Sequence, residues 1–240
     1  MITRIKDTII SAILWTWGLC VFSIVVLILL VVSIFHTGSF FEKILTGSCR
    51  LVLLSMGIRI RVNGKENVDP GQKYILMMNH VNIFDPLVLY STFPGKSRAI
   101  EEESHFRWPL YGWLIRRLGN LPVNRKDLRK AYEALTKASQ MIKERPDYSF
   151  VVLPEGTRTM TGQLGPFKKG GFVLALEADR PILPIIQVGS FQIKRKKNWL
   201  IKPGVITVIF EKPFPPRSFT RETIHAYMDG IRETYKKYLD

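Results

Sequence analysis

The residues best equipped for chemistry here are a histidine and an aspartate in the run Asn79-His80-Val81-Asn82-Ile83-Phe84-Asp85-Pro86. An imidazole titrates near neutrality. A carboxylate that accepts one ring N–H leaves the other nitrogen free as a base. Five residues on a single helix turn through about 500°, which would hold the two side chains roughly 140° apart. The pair therefore needs a turn between its members. Upstream, Tyr74-Ile75-Leu76-Met77-Met78 is an apolar run of strand length, and Asp85-Pro86 reads as a helix N-cap with proline at N1. Strand, His, tight connection, Asp, helix is a sound way to set imidazole against carboxylate. The plainer reading is a strand-end histidine and an aspartate that only caps.

A second constellation follows another apolar run. Phe150-Val151-Val152-Leu153 leads into Pro154-Glu155-Gly156-Thr157-Arg158. In α/β sheets ligands bind beyond the carboxyl ends of strands, so both segments could face one crevice. Gly156 allows close backbone approach, and Arg158 offers a planar fork for phosphate. A surface turn with a solvated Arg-Glu pair is the alternative.

The hydrophobic pattern indicates what must position these segments. After residue 57 the pattern predicts strands at 58–62, 74–78, 97–100, 121–123, 148–153, 182–188 and 205–210. Between them fall predicted helices at 86–92, 109–118, 127–145, 169–178 and 221–238, with Asp127 near a cap. This alternation implies an α/β domain: a largely parallel mixed sheet covered by helices on both faces.

The first 57 residues are different. No Lys, Arg, Asp or Glu lies between Asp7 and Glu42. Residues 12–35 would make a helix of roughly 36 Å, enough for a hydrocarbon core of about 30 Å. Trp15 and Trp17 suit a membrane interface. The apolar run is too long for a signal-peptide core, and no small-x-small cleavage site follows it. A break at 36–39 precedes a second, amphipathic helix over 40–56. Two topologies fit: a spanning first helix with the second in the interface, or a hairpin dipping into one leaflet. Arg4 and Lys6 favour a cytoplasmic N-terminus, which suits the hairpin. The expected organisation is a membrane-anchoring two-helix segment, 1–57, followed by the α/β domain, 58–240.

A net charge of +15 calls for an anionic partner such as a membrane surface, nucleic acid or an acidic protein or substrate. Cys20 and Cys49 have no metal-ligand spacing and read as buried free thiols, so neither a disulfide framework nor a metal site is expected.

Taken in order, Asn79-His80-x-x-x-x-Asp85, Pro109-x-x-Gly112, Gly119-Asn120-Leu121-Pro122-Val123-Asn124-Arg125, Pro154-Glu155-Gly156-Thr157-Arg158, Phe167-Lys168-Lys169-Gly170 and Pro181-Ile182-Leu183-Pro184-Ile185 are specific. This series resembles the glycerolipid acyltransferase superfamily, and within it the 1-acylglycerol-3-phosphate (lysophosphatidic acid) acyltransferases, over about residues 59–210. The resemblance implies a membrane-bound enzyme of phospholipid biosynthesis. It would move a fatty acyl group from a thioester to the sn-2 hydroxyl of lysophosphatidic acid, giving phosphatidic acid. It would act on the cytoplasmic face of a membrane, a bacterial inner membrane by its type. His80 would be the general base and Asp85 its orienter, with no acyl-enzyme, in keeping with the absence of a Gly-x-Ser-x-Gly elbow. Arg125 and Arg158 would clamp the acceptor's phosphate, Thr157 would offer a hydroxyl, and Glu155 and Gly156 would shape the turn. No cofactor is implied. The co-substrate is an acyl-CoA or acyl carrier protein thioester.

Two departures stand out. The family often carries a lysine shortly before Pro-x-x-Gly, where this chain has Glu101-Glu102-Glu103-Ser104. Asn124 replaces the usual Asp before the block's Arg. The basic run Lys194-Arg195-Lys196-Lys197-Asn198-Trp199 has several readings: anionic headgroups, acyl carrier protein, coenzyme A phosphates or a solvated loop. Trp108, Trp113 and Leu114 fit core, a membrane-facing stripe or an acyl channel. The competing functions are acyl transfer to glycerol 3-phosphate or another lysophospholipid, and a non-enzymatic membrane-tethered basic protein. The ordered motifs favour the enzyme and argue against nucleic acid as its partner.

Overall fold

A computed structural model describes residues 2–36, 38–123, 128–144, 146–216, 219–220 and 222–239. Its elements in chain order begin with α1 (Ile2–Phe35), α2 (Ser39–Ser55), β1 (Ile58–Asn63), β2 (Ile75–Met78) and α3 (Asp85–Thr92). Next come β3 (Ser97–Glu102), α4 (Tyr111–Leu118), β4 (Leu121–Val123), α5 (Leu128–Glu144) and β5 (Ser149–Val152). The chain closes with α6 (Gly170–Glu177), β6 (Ile182–Val188), α7 (Ser190–Ile193), β7 (Gly204–Phe210) and α8 (Ile224–Leu239).

The strands form one seven-stranded sheet in the order β1-β7-β6-β2-β5-β3-β4. Every neighbouring pair is parallel except β6 with β7. The fold is thus the α/β class expected, with a mostly parallel mixed sheet flanked by helices. β2 explains why its sequence is apolar throughout. Leu76 and Met78 point into a core with α2 and α3, while Ile75 and Met77 point into a second core with α5, α6 and α8. Successive strand residues face opposite sides, so a strand covered on both faces shows no polar alternation.

The two N-terminal helices share a third core with Tyr90 of α3 and Leu114 and Leu118 of α4. α1 is fastened along its length. Ser11 exchanges hydrogen bonds with the backbone of Ile201, and the Trp15 indole donates to Trp199 O at 2.6 Å. Near the other end, Arg117 of α4 donates to Ser33 Oγ and O at 3.2 and 2.8 Å. The opposite face of α1 is apolar and exposed through Ile13, Trp17, Ile24, Ile28, Val31 and Phe35. Cys20 lies on that outward side, which corrects the expectation of two buried thiols. Only Cys49, facing the helix-helix core, is buried.

Candidate active site

β6, β2 and β5 are adjacent and parallel, so their carboxyl ends emerge side by side. The register pairs Met77 with Val152 on one side and Met78 with Ile185 on the other. That arrangement alone brings together three connections: 79–85 after β2, 154–158 after β5, and the turn after β6.

The first connection folds around Asp85. His80 Nδ1 lies 2.6 Å from Asp85 Oδ2. The same oxygen accepts Val81 N–H at 2.8 Å, while Oδ1 accepts Asn82 N–H at 3.1 Å and Gln187 Nε2–H at 2.8 Å. The buried carboxylate only accepts, so Nδ1 is the ring nitrogen that donates to it, and in the neutral tautomer this leaves the lone pair on Nε2. This departs from the expected cap. Phe84 holds the N-cap position, and α3 has no side-chain cap bond. The aspartate's oxygens turn back onto the preceding loop, and Asp85 is itself the first helical residue, so Pro86 falls one position later than expected but still within the first turn.

Gln187 was not singled out in the sequence. Its side-chain amide donates to Asp85 Oδ1 and to Asn79 O, both at 2.8 Å, and its Oε1 accepts the Ser190 hydroxyl at 2.6 Å. The Asn79 side-chain amide in turn donates to Gln187 O and accepts Gln187 N–H. Asn82 stiffens the loop by donating to Ser190 O and accepting Phe84 N–H. The available signal was a glutamine near the end of an otherwise apolar strand, Ile182–Val188, all but unexposed at 1%.

The second connection brackets the histidine from the other side. Glu155 Oε1 accepts His80 N–H at 2.9 Å, Glu155 Oε2 accepts Gly165 N–H at 3.2 Å, and Thr159 N–H donates to His80 O at 2.9 Å. Burial pushes the Glu155 carboxyl above the usual carboxylate range, with the two N–H donors pulling the other way. Its oxygens serve backbone, so Glu155 pins the loop. Gly156 has φ +67°, and a Cβ there would stand 3.0 Å from the Lys168 side chain. The left-handed backbone is what calls for glycine, since the flexible Lys168 chain could give way.

Thr157 and Arg158 complete the turn. Thr157 Oγ1 accepts Lys196 Nζ at 2.8 Å, and Arg158 is half-buried near Lys194. The structure thus gathers His80, Asp85, Glu155, Gly156, Thr157 and Arg158 at one sheet end. Arg125 and Asn124 lie outside the described residues, as does the expected cap at Asp127. Among the described residues no group of His, Cys, Asp and Glu could hold a metal ion.

A small apolar cavity of about 40 Å³ lies among α1, α2, α3 and α4. Val25, Cys49, Pro86, Leu87, Tyr90 and Leu114 are among its lining residues. Leu114 is buried, whereas Trp108 and Trp113 are largely exposed and belong to the surface. Where the family often has its lysine, Glu101 is buried and bonded to Tyr111, Asn120 and His105.

The geometry can be compared with known proteins. Residues 59–188, more than half of the chain, match the family model described as Acyltransferase. The 1-acyl-sn-glycerol-3-phosphate acyltransferase of Cocos nucifera is 27% identical over 190 residues, 79% of this chain and 61% of that protein. That of Limnanthes douglasii is 29% identical over 202 residues, 84% and 70% of the two chains. The human 1-acyl-sn-glycerol-3-phosphate acyltransferase alpha is 30% identical over 193 residues, 77% and 66%. The match to the coconut and human proteins spans less than two thirds of their length. In structure, the chain is similar in fold to the 1-acyl-sn-glycerophosphate (LPA) acyltransferase PlsC from Thermotoga maritima. The TM-score is 0.82, the identity 21%, and the coverage 98% of this chain and 95% of that one.

Proposed function

The chain belongs to the acyltransferase family, and from that premise we propose that it transfers a fatty acyl group from a thioester to the sn-2 hydroxyl of lysophosphatidic acid. The observation that carries this reading is the His80–Asp85 contact at 2.6 Å, with the Pro154–Arg158 turn bonded to both sides of the histidine's backbone. The relatives' names supply the substrate.

His80 Nε2 takes the proton of the acceptor hydroxyl as its oxygen attacks the thioester carbonyl. Asp85 holds the tautomer and stabilises the imidazolium. The tetrahedral species collapses by breaking the C–S bond, and the departing thiolate sulfur takes the proton from Nε2. The products are the diacyl phosphate and a free thiol. A thioester is already activated, so no enzyme nucleophile is needed. Arg158, with Arg125 by family resemblance, holds the acceptor's phosphate and so places its hydroxyl. The donor is acyl-CoA or acyl carrier protein.

The α1–α2 pair serves as the membrane anchor. Ser11 and Ser33 lie about 33 Å apart along α1, and both are bonded to the α/β unit. A spanning helix would drag one of these attachments across the bilayer. The pair therefore lies in one leaflet, apolar face down, which suits a cationic protein on an anionic cytoplasmic surface.

The test is purified protein in lipid vesicles with lysophosphatidic acid and a labelled acyl thioester. Transfer that persists at high salt, and that His80→Ala lowers by at least about a thousandfold, is the expected outcome. A folded His80→Ala protein with full activity would sink the assignment. Salt-sensitive binding of polyanions without transfer would favour the tethered binding protein.

A further inference from the structure

Within the basic run at 194–199, Arg195, Lys197, Asn198 and Trp199 are exposed, but two lysines turn inward. Lys194 is 8% exposed and its ammonium closes the loop on itself, bonding to the carbonyls of Arg195 and Asn198. Lys196 turns the other way. Its Nζ donates to Thr157 Oγ1 at 2.8 Å and lies 3.4 Å from Arg158 O. Both acceptors belong to the turn that brackets His80.

This contact has a chemical consequence. An ammonium has three N–H donors and no acceptor. Two point at the turn, and the third remains for a ligand. Thr157, having accepted Lys196, has its own O–H hydrogen left to give. Arg158 adds a guanidinium, and Lys168 lies over Gly156. Burial lowers the Lys194 ammonium from its usual range, with the nearby Arg158 charge acting in the same direction. Among the described residues no carboxylate pairs with Arg158, Lys168, Lys194 or Lys196. Glu155, the acid of the same turn, has both oxygens committed to backbone N–H groups. Like charges gathered without a counter-charge are costly until an anion joins them.

We propose that Lys196 is a phosphate-binding residue of the acceptor site, supplying from the loop after α7 the positive charge that this chain lacks at Glu101–Ser104. The inference deepens the proposed function and rests on it for the identity of the acceptor. The ligand is a phosphate monoester: Lys196 and Arg158 engage its oxygens, and Thr157 donates a third bond. Lys196 positions the acceptor and takes no part in proton transfer.

The test uses full-length protein in vesicles and compares wild type with Lys196→Gln, Lys196→Arg and the exposed control Lys197→Gln. Lys196→Gln should raise KM for lysophosphatidic acid about ten- to a hundredfold with kcat little changed, since it removes charge-assisted hydrogen bonds. KM for the acyl thioester and vesicle binding should not move. Lys196→Arg should recover most of the loss, and Lys197→Gln should resemble wild type. A parallel measurement omits turnover: equilibrium binding of short-chain lysophosphatidic acid to His80→Ala should weaken about tenfold or more when Lys196→Gln is added. A change confined to donor KM or to vesicle binding overturns the proposal, as does unchanged acceptor affinity. If wild type binds the acceptor through Lys196 but transfers no acyl group, the proposed function fails while the anion seat stands.

Discussion

Replacing Asp85 by asparagine exchanges one oxygen for an NH2 group and removes one charge, yet four donors now converge on the carboxylate. These are His80 Nδ1, Val81 N, Asn82 N and Gln187 Nε2, at 2.6, 2.8, 3.1 and 2.8 Å. The new amide nitrogen must face two of them. Placed at Oδ2, it orphans Val81 N–H and forces His80 to offer Nδ1 as an acceptor. The ring proton then moves to Nε2, and the base is gone. Placed at Oδ1, it confronts Asn82 N–H and the Gln187 amide. Gln187 can escape only by flipping, which removes its donor from Asn79 O. Each buried charge-assisted bond lost costs about 1.5–3 kcal/mol. Two such losses remove roughly 3–6 kcal/mol of a total near 5–15. The orienting carboxylate of a serine-protease triad, made an amide, lowers kcat by about 10⁴, roughly 5.4 kcal/mol on the barrier. A fall of that order is expected here. The assay is steady-state acyl transfer in vesicles, with thermal unfolding alongside to separate loss of chemistry from loss of fold. A folded Asp85→Asn protein that keeps kcat within tenfold of wild type would show that the amide nitrogen does not face His80 and would refute the expected fall.

Gln187→Leu should lower kcat about ten- to a hundredfold with little change in either KM, because it frees Asp85 without touching substrate; a pure KM effect in steady-state assays would exclude a positioning role. Glu155→Gln should alter the pH dependence of stability. The wild-type carboxyl is raised, so its contribution is fully present below the ordinary Glu range and is lost as pH rises through the raised value. Chemical denaturation from about pH 4 to 7 should therefore show wild type losing ground to Glu155→Gln as pH increases, and a parallel pair of curves would contradict this. Single labels at Ile13→Cys, Ile24→Cys and Val31→Cys, in a Cys20→Ser background, should report one shallow depth to lipid-borne quenchers; depths that run from one interface to the other would mean a spanning helix.

Much of the fold was legible because its sheet is covered on both faces. Strands such as 75–78 and 182–186 are continuous apolar runs of strand length, and the helices between them carry their own periodicity. The sharp residues at strand ends, His80 and Glu155 to Arg158, stood out against that background. The antiparallel pairing of β7 with β6 did not, since both ladders accept the same residues. Nor did the reversal of Asp85, whose side-chain direction depends on where the Val81 and Asn82 amides point.

The order and types of the motif residues, the alternation of strands and helices, and the long uncharged N-terminal stretch are properties of the chain as written. Periodicity and local chemistry act between near neighbours, so sequence alone determined them. Gln187 against Asp85, Lys196 on the Thr157 turn, and α1 tied down at both ends were decided only by tertiary structure. Each joins residues far apart in the chain, and their meeting depends on which strands lie side by side and in what register. No spacing rule encodes that.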